Sequence, residues 1–317
     1  MESEYYHHPK VYIHYEFKDE PWGGGNQFLK GLKNYLINKN LYAEDHKEAD
    51  IILFNSHHKL MDLMFGFYIV NRNKTYIHRI DGPIFYIRNK DFHKDKLVYE
   101  VNNFVADASI FQSIFSYNAN LKQGYKKRIF GKDSIIYNTA DRSIFNKKGK
   151  RKLGKKIKIV ASSWSDNFNK GFEVYQYLDK VLDFDKYEMT FIGNSIIKFK
   201  NIKMIEPLNS KDLAKELKKH DIYITGSKKD PCSNSLIEAI QCGLIPIALN
   251  DGGHPELIKD PDNLFNIKHE AILVLDNITK DIKKKIKIDY DHFGEAYKNY
   301  YEYMKKQYME KNNHGNK

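Results

Sequence analysis

Short runs of β-branched and aromatic residues alternate with helix-length amphipathic segments along almost the whole chain. This alternation is typical of parallel sheets with helices on both faces, so it predicts an α/β fold. The predicted strands of the first half are residues 11–17, 51–55, 76–80, 109–112 and 134–137. Those of the second half are 157–162, 188–192, 203–205, 222–225 and 245–249, with helices at 172–182, 212–220 and 234–242 between them. The two series predict two sheets.

A polar segment separates the two series. Between residues 141 and 156 Lys, Arg and Gly replace apolar residues, so this segment cannot supply a core strand or helix. A chain of 317 residues is also long for one domain. We therefore predict two domains, residues 1–150 and 151–317, the second ending in a helical tail over 281–311. Aromatic residues at spacings of three and four predict a packed face on that tail.

The formal charge of +11 is compatible with several kinds of partner. The densest basic runs, residues 147–158 and 280–287, are best explained as a linker and a solvated face, and contact with an anionic membrane surface is the next alternative. No helix-turn-helix, RRM or zinc-finger pattern accompanies the charge, so nucleic acid is not a predicted partner.

Other bulk features narrow the class of protein. No stretch approaches the roughly 18 to 20 apolar residues of a membrane span, and the first residues lack the apolar core of a signal peptide. We therefore expect a cytoplasmic protein. Its two cysteines, Cys232 and Cys242, are interpreted as reduced thiols rather than as a disulfide or a zinc site.

The most informative segment is residues 225–249, whose pattern predicts strand, polar loop, helix and strand. The loop ends in Ser233, Asn234 and Ser235, which favour helix N-termini, where free N–H groups and the helix dipole attract anions. Ligands of open α/β sheets bind at the carboxyl ends of the strands, which is where this loop must lie. The segment therefore predicts a phosphate-binding position.

Two carboxylates flank the start of this helix, Asp230 in the loop and Glu238 one turn inside. A carboxylate accepts hydrogen bonds from two vicinal hydroxyls, as on a ribose or a hexose. The alternative is that Ser235 and Glu238 form an S-x-x-E capping box and bind no ligand. These residues alone leave both interpretations open.

The surrounding residues resemble glycosyltransferase family 4. That family has an acidic residue, seven intervening residues and a Glu, followed by Ala, a small residue, a Gly and an apolar strand, which Asp230, Glu238-Ala239 and Cys242-Gly243 match. The resemblance implies the GT-B fold, with two Rossmann-like domains facing each other across a cleft, the N-terminal one for the acceptor and the C-terminal one for the nucleotide-sugar. It also implies that Glu238 holds the nucleotide ribose and that Asp230 contacts the donor sugar. The family usually has Glu at the first position, so Asp230 is one methylene shorter.

Residues 161–172 resemble the first strand and loop of the family's C-terminal domain, which carries an Arg and then Lys-Gly. Lys170 matches the lysine, and the resemblance implies that it contacts the diphosphate. The arginine position is occupied by Trp164 or a neighbouring Ser. Residues 250–256 resemble the family's Gly-rich turn followed by Pro-Glu, although a plain turn before a helix would have the same pattern.

In the first half, residues 21–27 resemble the family's glycine-rich loop near donor and acceptor, which implies that Gly24 and Gly25 bind the donor. The pattern is not G-x-G-x-x-G, so a dinucleotide site is disfavoured. His78, Arg79 and Asp81 end a predicted strand, where the family has residues near the reacting sugar. We therefore predict catalytic roles for His78 and Asp81, with a simple Asp-Gly-Pro turn as the alternative for Asp81.

Two Asp-x-Asp triplets, at residues 183–185 and 289–291, lie near predicted helix ends, and we interpret them as chance matches to a metal-binding motif. No metal site and no cofactor is predicted. The predicted donor site is Gly24, Gly25, Lys170, Asp230, Ser233, Asn234, Ser235 and Glu238, with His78, Asp81, Lys170 and Asp230 as catalytic residues.

The predicted function is a retaining glycosyltransferase that moves a sugar from a nucleotide-sugar to a glycan or lipid-linked acceptor and stabilises the departing diphosphate. Two alternatives remain at this point. One is a GT-B nucleotide-sugar epimerase or hydrolase, and the other is a degenerate, non-catalytic binding module, which the missing Arg and the short Asp230 favour.

Overall fold

The computed structural model describes residues 8–19, 24–69, 71–128 and 132–314. The chain divides into two compact units. Unit 1 consists of Met1–Phe17, Leu29–Tyr137 and Glu295–Lys317, and unit 2 of Lys18–Phe28 and Asn138–Gly294. This division differs from the predicted one, because the second unit begins before residue 150 and the tail belongs to the first.

Unit 1 contains a parallel sheet of five strands. In spatial and chain order they are β1 (Val11–His14), β2 (Ile51–Asn55), β3 (Thr75–Ile80), β4 (Ala108–Phe111) and β5 (Asp133–Ile135). Its helices are α1 (Gly24–Asn38, shared with unit 2), α2 (Leu60–Asp62, continued by a π-helical Leu63–Tyr68), α3 (Ile84–Arg88), α4 (Phe92–Val105), α5 (Ile114–Lys122) and, from the end of the chain, α12 (Ala296–His314).

At β1 the chain changes the side of the sheet to which it adds its next strand. Residues 41–43 pair with the edge of β1 opposite β2, through Val11 N to Leu41 O (2.9 Å) and Ala43 N to Val11 O (3.0 Å). Right-handed crossovers to the two sides of a strand lie on opposite faces of the sheet, so the sheet is doubly wound. The loops after β1 and β2 diverge at this switch point, where α/β sheets bind ligands.

The aromatic face predicted for the tail packs on unit 1. Tyr297, Tyr300, Tyr301 and Met304 of α12 are buried, Tyr301 Oη donates to Pro9 O (3.4 Å) and α12 contacts β3. The face explains why the end of the chain is part of unit 1: four large side chains are removed from water there.

Unit 2 contains a parallel sheet of six strands in the order β11-β10-β9-β6-β7-β8. The strands are β6 (Ile157–Ser163), β7 (Tyr187–Gly193), β8 (Lys203–Ile205), β9 (Ile222–Thr225), β10 (Ile245–Leu249) and β11 (Leu264–Phe265). The helices are α6 (Phe172–Val181), α7 (Ser210–Leu217), α8 (Asn234–Gln241), α9 (His254–Ile258), α10 (Glu270–Lys280) and α11 (Ile282–Lys285). The order reverses at β6, so the switch point of this sheet lies between the loops after β6 and β9.

The polar segment 141–156, predicted as a linker, is held to unit 2 by its charges. Arg151 pairs with the buried Asp221, Lys147 Nζ lies 3.0 Å from Asp289 Oδ1, and Arg142 pairs with Asp291. This lysine-rich segment is therefore bound to unit 2 by ion pairs and is not a free linker. The same contacts use both carboxylates of the second Asp-x-Asp triplet.

No helix within the described residues is both long and apolar enough to cross a membrane.

Candidate active site

The switch point of unit 2 brings together the loops after β6 and β9. Gly171, after the first loop, has a φ of +93°, and a Cβ there would lie 2.7 Å from the carbonyl carbon of Gly226 after β9. Lys228 N also donates to Asn169 O at 2.8 Å. Only glycine permits this approach, which fixes the two loops against each other.

Lys170 and Asp230, predicted from separate motifs, form an ion pair across these two loops. Lys170 Nζ lies 2.9 Å from Asp230 Oδ2, and Ser227 Oγ is 3.4 Å from the same oxygen. Burial would raise the pKa of Asp230, but the charge of Lys170 outweighs it and lowers that pKa. Asp230 is therefore ionised and fixed in direction at neutral pH.

A third loop, after β10, supports the Asp230 backbone. Gly253 N donates to Asp230 O (2.8 Å), and Lys229 N donates to Asp251 Oδ2 (3.0 Å). The glycine-rich turn predicted over 250–256 is confirmed, because Gly252 has a φ of +63° and α9 begins at His254.

His254 is a buried site residue that the sequence did not single out. Its side chain is fully buried, Nδ1 donates to Leu249 O (3.0 Å), and Nε2 makes no hydrogen bond among the described residues. Burial lowers the pKa of His254, so the ring is neutral at pH 7 and Nε2 is an acceptor.

Helix α8 begins where the sequence predicted. Its first residue is Asn234 and its N-cap is Ser233, whose side chain makes no capping hydrogen bond. Ser233 Oγ instead lies 3.2 Å from Ser235 Oγ, and Asn138 Nδ2 donates to Asn234 Oδ1 (2.9 Å). The side chain of Ser233 therefore leaves the first N–H groups of α8 uncapped, at the positive end of the helix dipole.

Gly24, the first residue of α1, lies directly against the start of α8. A Cβ at Gly24 would be 2.3 Å from Asn234 Nδ2, so a larger residue would displace that side-chain amide. Both residues belong to unit 2, and two helix N-termini therefore meet there. Gly25 follows within α1, and residues 20–23, the first part of the predicted glycine-rich loop, lie outside the described residues.

Glu238 is buried without a partner. Its side chain is 9% exposed, and no described residue hydrogen bonds to its carboxylate. Burial alone raises the pKa of Glu238 to about 8. The capping box with Ser235 is absent, because Ser233 is the N-cap and Glu238 bonds to no backbone N–H.

The predicted catalytic residues of unit 1 differ in environment. His78 is fully buried, stacked on Phe54 at 4.2 Å, with Nε2 on Ser56 O and Nδ1 on Asn102 Nδ2, both at 3.1 Å. Burial lowers the pKa of His78 to about 3. Both ring nitrogens are hydrogen bonded inside the core, so the position of His78 supports a packing role and not the predicted catalytic one.

Asp81, in contrast, has a partly exposed carboxylate just beyond β3, with 31% of its side chain accessible. It pairs with the buried Arg79 and accepts from Asn55 Nδ2 (3.2 Å). Burial would raise the pKa of Asp81, but the Arg79 charge and these hydrogen bonds lower it. Asp81 is a fixed, ionised acceptor rather than only a turn residue.

The described residues contain no group of three or more His, Cys, Asp or Glu side chains arranged to hold a metal ion.

Comparison with known proteins finds one family model that matches part of unit 2. Residues 196–307 match the family model described as glycosyl transferases group 1. That range contains Asp230, Glu238 and their loops. A search of curated protein sequences finds no match.

Solved structures resemble the chain over almost its whole length. HepE from Anabaena, solved in complex with UDP and glucose, shares 14% sequence identity with a TM-score of 0.68, covering 96% of this chain and 99% of that one. Sucrose-phosphate synthase from Thermosynechococcus elongatus shares 14% identity with a TM-score of 0.66, covering 95% and 97%. The catalytic domain of starch synthase IV from Arabidopsis thaliana, bound to ADP and acarbose, shares 10% with a TM-score of 0.61, covering 93% and 79%. The chain has the GT-B fold.

Proposed function

We propose that this protein is a glycosyltransferase of the family 4 type, which transfers a sugar from a nucleotide-diphosphate sugar to a hydroxyl of an acceptor. One observation carries the proposal: a buried carboxylate without a hydrogen-bond partner, Glu238, lies in the range matched by the glycosyl transferase model. Burial of a carboxylate without a hydrogen-bond partner destabilises the protein in the absence of ligand. Such costly groups are typical of binding sites.

Glu238 is proposed to accept hydrogen bonds from the two ribose hydroxyls of the nucleotide. Two hydroxyl donors would stabilise the ionised carboxylate and replace the water lost on burial. HepE, with which the chain shares its fold, has been solved with UDP-glucose, which makes a uridine nucleotide the first candidate.

Lys170 and the N-termini of α1 and α8 are proposed to bind the diphosphate. Helix α8 begins near Ser233, Asn234 and Ser235, and the Ser233 side chain does not cap its first N–H groups. Helix α1 begins with Gly24 and Gly25. Free N–H groups at a helix N-terminus attract phosphate. Because the charge on the leaving diphosphate grows in the transition state, these groups would lower the barrier.

Asp230 is proposed to bind the donor sugar. Lys170 pairs with its carboxylate and the loop after β10 supports its backbone, so an ionised carboxylate is held in the loop where the sugar is proposed to bind. Its negative charge also stabilises the positive charge that develops on the sugar.

We further propose that the reaction retains anomeric configuration, with the leaving phosphate as the base, and that it needs no essential divalent ion. Lys170 and the helix N-termini supply the positive potential that a metal provides elsewhere.

Unit 1, with Asp81 at its sheet edge, is proposed to bind the acceptor, which is a glycan or a lipid-linked saccharide. We also propose that the protein is cytoplasmic and makes peripheral contact with an anionic membrane surface, a contact that the net charge of +11 supports. Co-sedimentation with vesicles containing phosphatidylglycerol tests that contact, and equal recovery with neutral vesicles would contradict it.

The proposed function is tested by a screen of nucleoside diphosphates and their sugars by thermal shift, followed by incubation of each stabilising donor with and without saccharide acceptors. A transferase consumes the donor in proportion to the glycosylated product. Isomerised donor, or hydrolysis unaffected by acceptors, would indicate the epimerase or hydrolase alternative. A protein that no nucleotide stabilises would not be a nucleotide-sugar enzyme.

A further inference from the structure

The switch point of unit 1 gathers four polar and aromatic side chains from three neighbouring strands. Tyr15 follows β1, His57 and His58 follow β2, and Asp81 follows β3. Because these strands are parallel neighbours, their carboxyl ends share one edge of the sheet, where open α/β sheets bind ligands. We call these four residues the edge cluster.

The rings of the edge cluster touch in series. The Tyr15 and His58 rings are 4.9 Å apart, edge to face, and the His57 and His58 rings stack at 4.5 Å. All three rings are half-buried. Asp81 is near enough for its charge to raise the pKa of each of the three rings.

The backbone that carries the two histidines is fixed in an uncommon conformation. Ser56 and Lys59, on either side of them, both have positive φ, +42° and +51°. Ser56 Oγ accepts from Asp81 N (2.8 Å) and His14 Nε2 contacts Lys59 O (3.1 Å), which holds both ends of the turn. Residues other than glycine adopt such angles where the surrounding structure imposes them, and such positions concentrate at functional sites.

The chemistry of the edge cluster suits an uncharged, hydroxyl-rich ring. Burial lowers the pKa of His57 to about 4 and also lowers that of His58, so both rings are neutral at pH 7, while Asp81 is ionised. Nδ1 of His57 is buried and makes no hydrogen bond among the described residues. The cluster thus offers rings for the C–H groups of a sugar and acceptors for its hydroxyls, and because the Asp81 charge is balanced by its ion pair with Arg79, the cluster suits a ligand without net charge.

We propose that the edge cluster binds the acceptor as an uncharged sugar ring, and this proposal rests on the proposed transferase function. Tyr15 and His58 provide the stacking surface, and Asp81, whose side chain is partly exposed, accepts hydrogen bonds from the hydroxyls. The terminal acceptor unit is therefore a neutral saccharide and not a sugar phosphate or glycerol phosphate.

Direct binding by saturation-transfer NMR tests this proposal. The probes are the methyl glycosides of glucose, galactose and N-acetylglucosamine, with glucose 6-phosphate and glycerol 3-phosphate as charged comparisons. We expect at least one neutral glycoside to give a signal that is reduced at least fivefold in Tyr15→Ala and His58→Ala. Tyr15→Phe, which keeps the ring, should retain it, and His93→Ala, which removes an exposed histidine of α4, serves as the matched control.

The same samples are titrated with UDP, GDP and ADP by calorimetry. Nucleotide affinity unchanged by Tyr15→Ala and His58→Ala, together with lost glycoside contact, supports the proposal. It is overturned if neutral glycosides give no signal with the parent protein, if they bind the two alanine variants as they bind the parent, or if only the phosphorylated probes bind. A parent protein that binds glycosides but no nucleotide would instead refute the transferase function.

Discussion

Lys170 Nζ lies 2.9 Å from Asp230 Oδ2, so the cation proposed for the diphosphate and the carboxylate proposed for the donor sugar neutralise each other in this structure. The two residues come from the loops after β6 and β9, the pair that diverges at the switch point of the sheet. An arriving diphosphate must therefore compete with Asp230 for Lys170, which couples the phosphate and sugar positions.

This coupling predicts the behaviour of Asp230→Ala. The variant should bind nucleoside diphosphate as well as the parent or better, because Lys170 loses its competitor. Turnover should fall at least tenfold, about 1.4 kcal/mol, since the carboxylate stabilises the developing sugar cation. Calorimetry and initial rates measure the two effects. Asp260→Ala is the control, because it removes a similar ion pair, with Lys285 at 2.8 Å, outside the site. A loss of nucleotide affinity in Asp230→Ala would contradict these separate roles.

Glu238 should destabilise the empty protein in a pH-dependent way. Its pKa is about 8 when folded, against 4.5 for the unperturbed group, so the folded state keeps a proton that the unfolded state releases between these values. The stability contribution of Glu238 therefore falls as pH rises from about 4.5 to about 8. Glu238→Gln should remove this loss and stabilise the empty protein by up to about 3 kcal/mol at pH 7, with little effect near pH 4.

Urea unfolding of Glu238→Gln at several pH values measures this effect. Glu100→Gln, on the exposed carboxylate of α4 that pairs with Lys96, is the control and should change stability by less than about 0.5 kcal/mol. Equal destabilisation of Glu238→Gln at all pH values would mean that the carboxylate has a partner in the folded protein.

Turnover should not require a divalent ion. Lys170 and two helix N-termini supply positive potential where the diphosphate is proposed to bind. Activity after dialysis against EDTA should stay within about twofold of the starting value. Complete loss that manganese or magnesium restores would contradict this and would return attention to the Asp-x-Asp triplets, with Asp183→Ala and Asp289→Ala as the first variants.

Helix α12 should be essential to the stability of unit 1. Tyr300 is fully buried, so Tyr300→Ala should destabilise that unit by about 3 to 5 kcal/mol. Lys306→Ala, which removes an exposed charge from the same helix, should change stability by less than about 0.5 kcal/mol. Hydrogen exchange resolves the effect by unit, and protection lost only in unit 2 would contradict the assignment of α12 to unit 1.

Most strands could be predicted from the sequence because they are buried on both faces and have continuous apolar runs. β2, β9 and β10 have the predicted bounds, and so does β8, although it is an exposed strand at the edge of its sheet. β11 was missed, because a pair of residues, Leu264 and Phe265, carries no periodic signal. The domain boundary was also missed, since charged sequence indicates exposure and does not reveal partners such as Asp221 for Arg151.

Asp230, Ser233, Asn234, Ser235 and Glu238 lie in one local segment, so the sequence alone groups them, whereas Lys170 comes from a separate motif, and their roles in donor binding stay predictions. The sequence could not choose between a capping box and a free carboxylate at Glu238, because that choice depends on the N-cap being Ser233. His78 was singled out by its place at a strand end, but its side chain points into the core. Tyr15 follows β1, whereas His57 and His58 follow β2, and only tertiary structure brings Tyr15 to the two histidines.

The most direct test of this account is calorimetric titration of the parent protein, Glu238→Gln and Asp230→Ala with UDP, GDP and ADP at pH 7. At least one nucleotide should bind the parent and Asp230→Ala with similar affinity. It should bind Glu238→Gln about 5 to 150 times more weakly, since one of the two carboxylate acceptors becomes an NH₂ donor and the loss of such a hydrogen bond costs about 1 to 3 kcal/mol. If the parent binds none of them, or if Glu238→Gln binds as the parent does, Glu238 is not the nucleotide ligand and the central claim is wrong.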